Sequence, residues 1–136
     1  MICDANGIPL AVRITAANVA DSRMLEEMVD AIPPVRQTIG RPRKRPAKLH
    51  ADKGYDYQRC RRALRRRRIG DRIGRKGIER SQRLGRRRWV VERTIAWFSR
   101  FRRLTVRYDR RADIHVAFTT LAAAMITLRF CTRWFC

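Results

Sequence analysis

The stretch Lys48-Leu49-His50-Ala51-Asp52-Lys53-Gly54-Tyr55-Asp56, followed on to Ile69-Gly70-Asp71-Arg72-Ile73, decides the fold class of this chain. Lys48 to Ala51 suits a short strand. Asp52-Lys53-Gly54 is turn chemistry and hands the chain to a helix from about Tyr57 to Arg67. Ile69 to Ile73 reads as another short strand, interrupted by Gly70. Upstream, Ile2-Cys3-Asp4, Ala5-Asn6-Gly7 and Ile8 to Thr15 read as a β-hairpin, because Asn-Gly accepts positive φ at both turn positions. Asp21 or Ser22 caps a helix to about Ala31, with Glu26 and Glu27 early in it, and Pro33-Pro34 ends it. Downstream, a long helix is expected from about Ser81 to Phe101, with Val90, Thr94, Trp97 and Phe101 at helical spacing. Asp113 is expected to cap a last helix. The order of hairpin, helix, strand, helix, strand, helix, helix is an α/β layout.

The connecting segments are basic. Residues 35 to 48 are rich in proline and arginine and read as a loop or arm, and residues 74 to 80 as a second basic loop. Over 136 residues the chain carries 33 Lys and Arg against 12 Asp and Glu, a net charge of +21. That surplus repels itself unless a polyanion neutralises it, and phosphates do so while releasing counterions. Arginine forks suit phosphate oxygens and guanine edges. Nucleic acid is therefore the expected partner. With 45% hydrophobic residues the chain is no disordered basic tail. Its length suits one domain over residues 1–136.

Cys3, Cys60, Cys131 and Cys136 form no Cys-x-x-Cys pair, so neither a zinc site nor a disulfide framework is expected. No signal peptide is expected at Met1. In Ile114 to Leu128, the residues Ile114, Phe118, Leu121, Met125 and Leu128 step by four, three, four and three. This reads as an amphipathic stripe facing the core, in a segment short for a membrane span. The protein is read as cytoplasmic, with no membrane partner.

Two carboxylates stand out among the arginines. Asp52 follows a strand and precedes Gly54, a place where open α/β sheets put function, although a plain turn or cap role fits as well. Glu92 lies mid-helix in Arg88-Trp89-Val90-Val91-Glu92-Arg93-Thr94-Ile95-Ala96-Trp97-Phe98, where an ion pair with Arg88 four residues earlier is the simplest role. Together the two acids have another use. Hard divalent cations take several carboxylate oxygens, and phosphoryl transfer on two metals needs acids from separate elements. Two acids do not complete such a site, and Asp4, Asp21, Asp56 and Asp71 are the local candidates for a third.

These motifs resemble the DDE transposases of bacterial insertion sequences. The resemblance rests on Asp4-x-x-Gly7-x-Pro9-Leu10-Ala11-Val12 with Thr15-x-Ala17-Asn18-Val19-x-Asp21-Ser22, on His50 to Asp56, on Arg88 to Trp97, and on Phe101-Arg102-Arg103-Leu104 with Arg107-Tyr108 and Arg110-Arg111-Ala112-Asp113. It covers essentially the whole chain. It implies a ribonuclease-H-like fold in which three acids hold two Mg²⁺ or Mn²⁺ ions for DNA cleavage and strand transfer at the ends of the element. It maps the second acid and metal ligand onto Asp52 and the third onto Glu92. Arg88 then contacts DNA or the site, and Lys53, Arg93, Arg100, Arg102 and Arg103 are the other expected DNA-binding residues. The motif's tyrosine position falls on Gly85 and its lysine position on Ser99, with Arg100 beside it. The family's first Asp lies on a central strand upstream of the hairpin. The expectation is a truncated or split transposase catalytic domain, a partial ribonuclease-H-like fold without that strand, inactive alone. Double-stranded DNA, the missing N-terminal polypeptide and further copies of the chain are the implied partners. The alternative is a basic DNA-binding protein without catalysis.

If about six phosphates are neutralised by the arginine-rich segments 36–48, 59–68 and 72–88, duplex affinity should fall on the order of a thousandfold between 50 and 200 mM salt. Fluorescence anisotropy across that range measures it, and salt-insensitive binding contradicts the electrostatic account.

Overall fold

A computed structural model describes residues 1–36, 38–77 and 81–135, with side chains apart from 81–88 and 133–135. Two units emerge. One joins Met1–Ile14 to Trp89–Cys136, and the other is Thr15–Arg88.

In the first unit, β1 (Ile2–Cys3) and β2 (Pro9–Ala11) form the expected antiparallel hairpin, with Ile2 opposite Ala11. Asp4 builds its turn: one carboxylate oxygen accepts the N–H of Asn6 at 2.9 Å and of Ile8 at 2.8 Å. Gly7 takes φ +90°, which a side chain would resist. The strands are shorter than the sequence suggested. The long helix α3 spans Ser81–Phe98, its last part belonging to this unit, and ends short of Phe101. There Ser99 turns its hydroxyl back to the carbonyl of Ala96 at 2.8 Å, competing with further helix. A single turn, α4 (Arg102–Thr105), leads to α5 (Ala112–Phe135), so Asp113 sits inside the first turn.

The buried face of α5 corrects the sequence reading. Thr119, Ala122 and Ile126 are buried, whereas Ile114, Leu121, Met125 and Leu128 are exposed, Leu128 to 62%. The helix carries apolar side chains almost all round, so periodicity alone could not choose a face. The small residues Ala122 and Thr119 permit close approach, and the bulkier stripe is left outside. Trp97 and Phe130 pack with ring centres 5.3 Å apart at 53°. Over Ala112–Thr132, α5 is long and apolar enough to cross a membrane by length and composition, so the helix is longer than the short span read from sequence.

In the second unit, a 3₁₀ turn (Asp21–Met24) runs into α1 (Leu25–Asp30). β3 (Lys48–Ala51) and β4 (Gly70–Ile73) pair in parallel, Lys48 opposite Gly70 and Ala51 opposite Ile73. Parallel neighbours need a crossover, and α2 (Gln58–Arg66) supplies it. Its apolar face, Cys60, Ala63 and Leu64, is buried with Leu25, Met28, Val29, Ile32, Ile69 and Ile73. Its other residues are mostly arginine. Arg67 fastens α2 to α1, donating to Asp30 at 2.8 and 2.6 Å and to Glu26 at 3.1 Å. Bonding to Arg67 holds the Asp30 carboxyl below its usual range. In the basic arm, Val35 and Arg43 exchange two backbone bonds, at 2.9 and 2.8 Å, around Gly40. The architecture is thus mixed α and β. Among the described residues the sheets are two separate pairs, one antiparallel and one parallel.

The end of α2 stores strain. Ile69 N–H reaches Leu64 O at 2.9 Å and Arg68 N–H reaches Arg65 O at 2.9 Å, the bond pattern of a Schellman cap. The position that favours glycine holds Arg68, at φ +56°. Arg68→Gly should therefore raise stability by about 0.5–1 kcal/mol, the usual scale of left-handed relief. Thermal unfolding followed by circular dichroism reads this out, and an unchanged or lowered melting temperature contradicts it.

Candidate functional site

In the second unit, Asp52 stands at the C-terminal end of β3 with extended backbone. Its Oδ1 accepts the Lys53 N–H at 2.6 Å and caps a 3₁₀ turn over Lys53–Tyr55. The turn role read from the sequence is therefore present, and Asp52 remains exposed. This turn packs on the turn at Asp21–Met24. Half-buried Tyr55 has its phenol pKa pushed up, first by burial and then by the negative charges of Asp21 and Asp52. Asp21 thus shares the electrostatic neighbourhood of Asp52.

The anchor of this arrangement is Ser22, which the sequence offered only as a possible cap. It is buried, its hydroxyl accepts from Arg59 Nη2 at 2.8 Å, and its carbonyl accepts from the Cys60 thiol at 3.5 Å. Ser22 closes one of the motifs quoted above, but its anchoring role depends on partners that come 37 and 38 residues later and that no local signal marks.

The other candidate acids are engaged elsewhere. Asp56 accepts from Arg61 Nε at 3.1 Å and Nη2 at 2.7 Å, and from the Lys76 N–H at 3.0 Å. The Lys76 N–H and then Arg61 hold its carboxyl below the usual range. Asp71 lies 3.6 Å from Arg61 and 3.7 Å from Arg65. Asp4 holds the hairpin turn.

Glu92 belongs to the first unit, exposed on α3. Its neighbours pin that helix to the hairpin. The Arg93 guanidinium lies over the Trp89 ring at 4.3 Å and the Trp97 ring at 4.9 Å, and Nη2 donates to Asn6 O at 2.7 Å. The Thr94 hydroxyl, fully buried, is 2.9 Å from the carbonyls of both Gly7 and Val90. Arg93 therefore spends its charge and planar face inside the protein. Arg103 is similarly occupied, 3.5 Å from Asp109 and stacked over Phe118. Arg100 and Arg102 are exposed. The Arg88 side chain, and with it the expected Arg88–Glu92 pair, lies outside the described residues. Asp52 and Lys53 thus share one unit, and Glu92, Arg93, Arg100, Arg102 and Arg103 the other.

A divalent metal requires more than these acids supply. Among the described residues no three His, Cys, Asp or Glu side chains gather as a metal-holding group. One oxygen of Asp52 already serves the turn. Hard cations want several oxygens at once. The described residues do not by themselves fit a two-metal site.

The contact of α3 with the hairpin has a sharp test. A Cβ on Gly7 would stand 2.8 Å from Thr94 Oγ1, at a φ that disfavours any side chain. Gly7→Ala should destabilise the first unit by about 1–3 kcal/mol, the cost of strained left-handed backbone. Chemical denaturation of the two proteins checks this, and equal midpoints contradict it.

The family profile described as Transposase DDE domain matches residues 1–127. A protein named as a transposase for insertion sequence element IS402, from Burkholderia cepacia, is 51% identical over 126 residues. The match covers 93% of this chain and 60% of that relative, so the chain spans less than two thirds of the relative's length. No solved structure matches. Members of this family act on DNA, generally with divalent metal, and transposases are generally cytosolic. With the profile spanning nearly all of the sequence, and with Asp52 and Glu92 inside its match, the chain belongs to the transposase DDE domain family of insertion elements.

Proposed function

We propose that this chain serves the cleavage and strand transfer of DNA at the ends of an insertion element, with Asp52 and Glu92 as its reacting-centre carboxylates. The observation that carries the reading is the profile match over residues 1–127, which includes both acids in their motifs. The fold supports it. An antiparallel hairpin followed by a parallel strand–helix–strand unit is the chain order of a ribonuclease-H-like sheet, and residues 1–136 are read as part of one such catalytic domain. Asp52 ends a strand on a stiff turn, and Glu92 sits beside a helix-to-hairpin clasp, so each carboxylate rests on a rigid support. In the active assembly the two acids would take Mg²⁺ or Mn²⁺ with a further carboxylate. Lys53, Arg88, Arg100 and Arg102 would lie along the DNA, with Arg93 and Arg103 chiefly holding the scaffold. Double-stranded DNA is the partner, with no membrane. Protein corresponding to the part of the relative that this chain does not match, and further copies of the chain, would complete the assembly.

The reading without catalysis for the isolated chain rests on the motifs themselves, which supply two acids, Asp52 and Glu92, where the family uses three. A phosphoryl transfer that depends on metals for nucleophile and leaving oxygen stalls without a full ligand set. The purified chain with Mg²⁺ or Mn²⁺ and DNA carrying the element's ends should bind but neither nick nor join. Adding a polypeptide corresponding to the part of the IS402 relative that this chain does not match should yield cleavage, abolished by either Asp52→Ala or Glu92→Ala. Restored cleavage that survives both substitutions removes these acids from the chemistry. Metal-dependent cleavage by the chain alone, lost in both variants, shows instead that a third acid is present within it.

A further inference from the structure

We propose that Tyr57, Arg59 and Lys76 form a preorganised phosphate clamp, through which the unit holding Asp52 grips one strand of DNA. The proposal rests on the transposition reading and deepens it by naming where the backbone is held.

Tyr57 immediately precedes α2, and its residue surface is 44% exposed. Two cations from different segments stand over its ring. The Arg59 guanidinium comes from α2, 5.4 Å from the ring centre, and the Lys76 ammonium from the loop after β4, at 4.8 Å. Each is tethered by a second bond. Arg59 Nη2 donates to the buried Ser22 hydroxyl at 2.8 Å. The Lys76 N–H donates to Asp56 Oδ2 at 3.0 Å, and Arg61 grips the other oxygen of Asp56. Both residues remain exposed, and Asp56, the carboxylate that the Lys76 charge reaches, is already gripped by Arg61.

Their neighbours differ. Arg61, Arg65, Arg66 and Arg67 are all committed to Asp56, Asp71, Glu26 or Asp30. Tyr57 thus gathers two exposed charges, with Lys76 sharing Asp56 with Arg61. Both cations are attracted to the ring's negative face but repel each other, and an anion bound by both relieves that repulsion. From their distances to one ring centre, 5.4 and 4.8 Å, the cations stand no more than about 10 Å apart. One strand carries a phosphate about every 3.4 Å of helix axis, so neighbouring phosphates fall within that span. A stacked guanidinium keeps N–H edges free for phosphate oxygens. Holding the Arg59 side chain and the Lys76 backbone in place before binding lowers the entropy lost on association.

The test is duplex binding by the full chain, followed by fluorescence anisotropy from 50 to 200 mM salt. Lys76→Gln and Arg59→Gln should each weaken binding several-fold and lower the salt slope by about one. Tyr57→Leu should weaken binding several-fold with the slope unchanged, because both charges remain. Arg110→Gln, which removes the same charge from an exposed site in the other unit, should change neither. Arg59 also holds Ser22, so Lys76→Gln and Tyr57→Leu, with melting curves matching wild type, carry the decision. Wild-type binding that persists unaltered in those two variants overturns the clamp alone. Equal losses in Lys76→Gln and Arg110→Gln reduce it to net charge and overturn it too. A wild-type chain that fails to bind duplex at 50 mM salt overturns the transposition reading and the clamp with it.

Discussion

Twelve carboxylates must serve 33 cations, and where those acids are spent organises this protein. Glu26 and Asp30 fasten α1 to α2 through Arg66 and Arg67. Asp56 and Asp71 fasten the start of α2 to β4 and its following loop through Arg61 and Arg65. Asp4 spends its carboxylate on a turn. Each of these arginines combines charge with a planar fork, so one side chain can satisfy several acceptors in a fixed geometry. What the ion pairs do not consume is a large positive surplus. Under the proposed function that surplus has a use, because bound DNA would supply the missing negative charge.

The same economy separates scaffold from chemistry. A carboxylate locked by an arginine fork is a poor candidate for a reacting centre, because freeing it costs the pair. Asp52 accepts the N–H of Lys53, a bond that orients its carboxylate while the residue stays exposed on the turn. Glu92 stands on a helix whose position is set by its neighbours, Arg93 and Thr94, through their bonds to the carbonyls of Asn6 and Gly7. These two bonds cross 87 residues of sequence and give α3 a defined seat on the hairpin. Gly7 is where the seat is tightest, since a methyl group there meets the Thr94 hydroxyl.

The outward apolar stripe of α5 is a different kind of surface. Leu121, Met125 and Leu128 are all about half exposed or more. Contiguous exposed apolar surface of this sort marks contact with something else.

Much of the second unit was legible in the sequence, because its signals are local. The strand Lys48–Ala51 agrees with the structure, and α2 differs from its expected span by a residue at each end. Turn residues, alternation and a strongly one-sided helix report on neighbours a few positions apart, and sequence order preserves those. The motifs carrying Asp52 and Glu92 were legible for the same reason, each being a short contiguous run. The face of α5 was not, because apolar residues surround that helix and its inward side is selected by which residues allow close packing. The roles of Ser22, Arg93 and Thr94 were not legible either, since their partners lie 37 to 87 residues away. Nor could charge counting tell which arginines are spent and which are free. Spacing along a chain fixes what one element is, whereas the partner of a side chain is fixed by distance in space, which only the folded structure supplies.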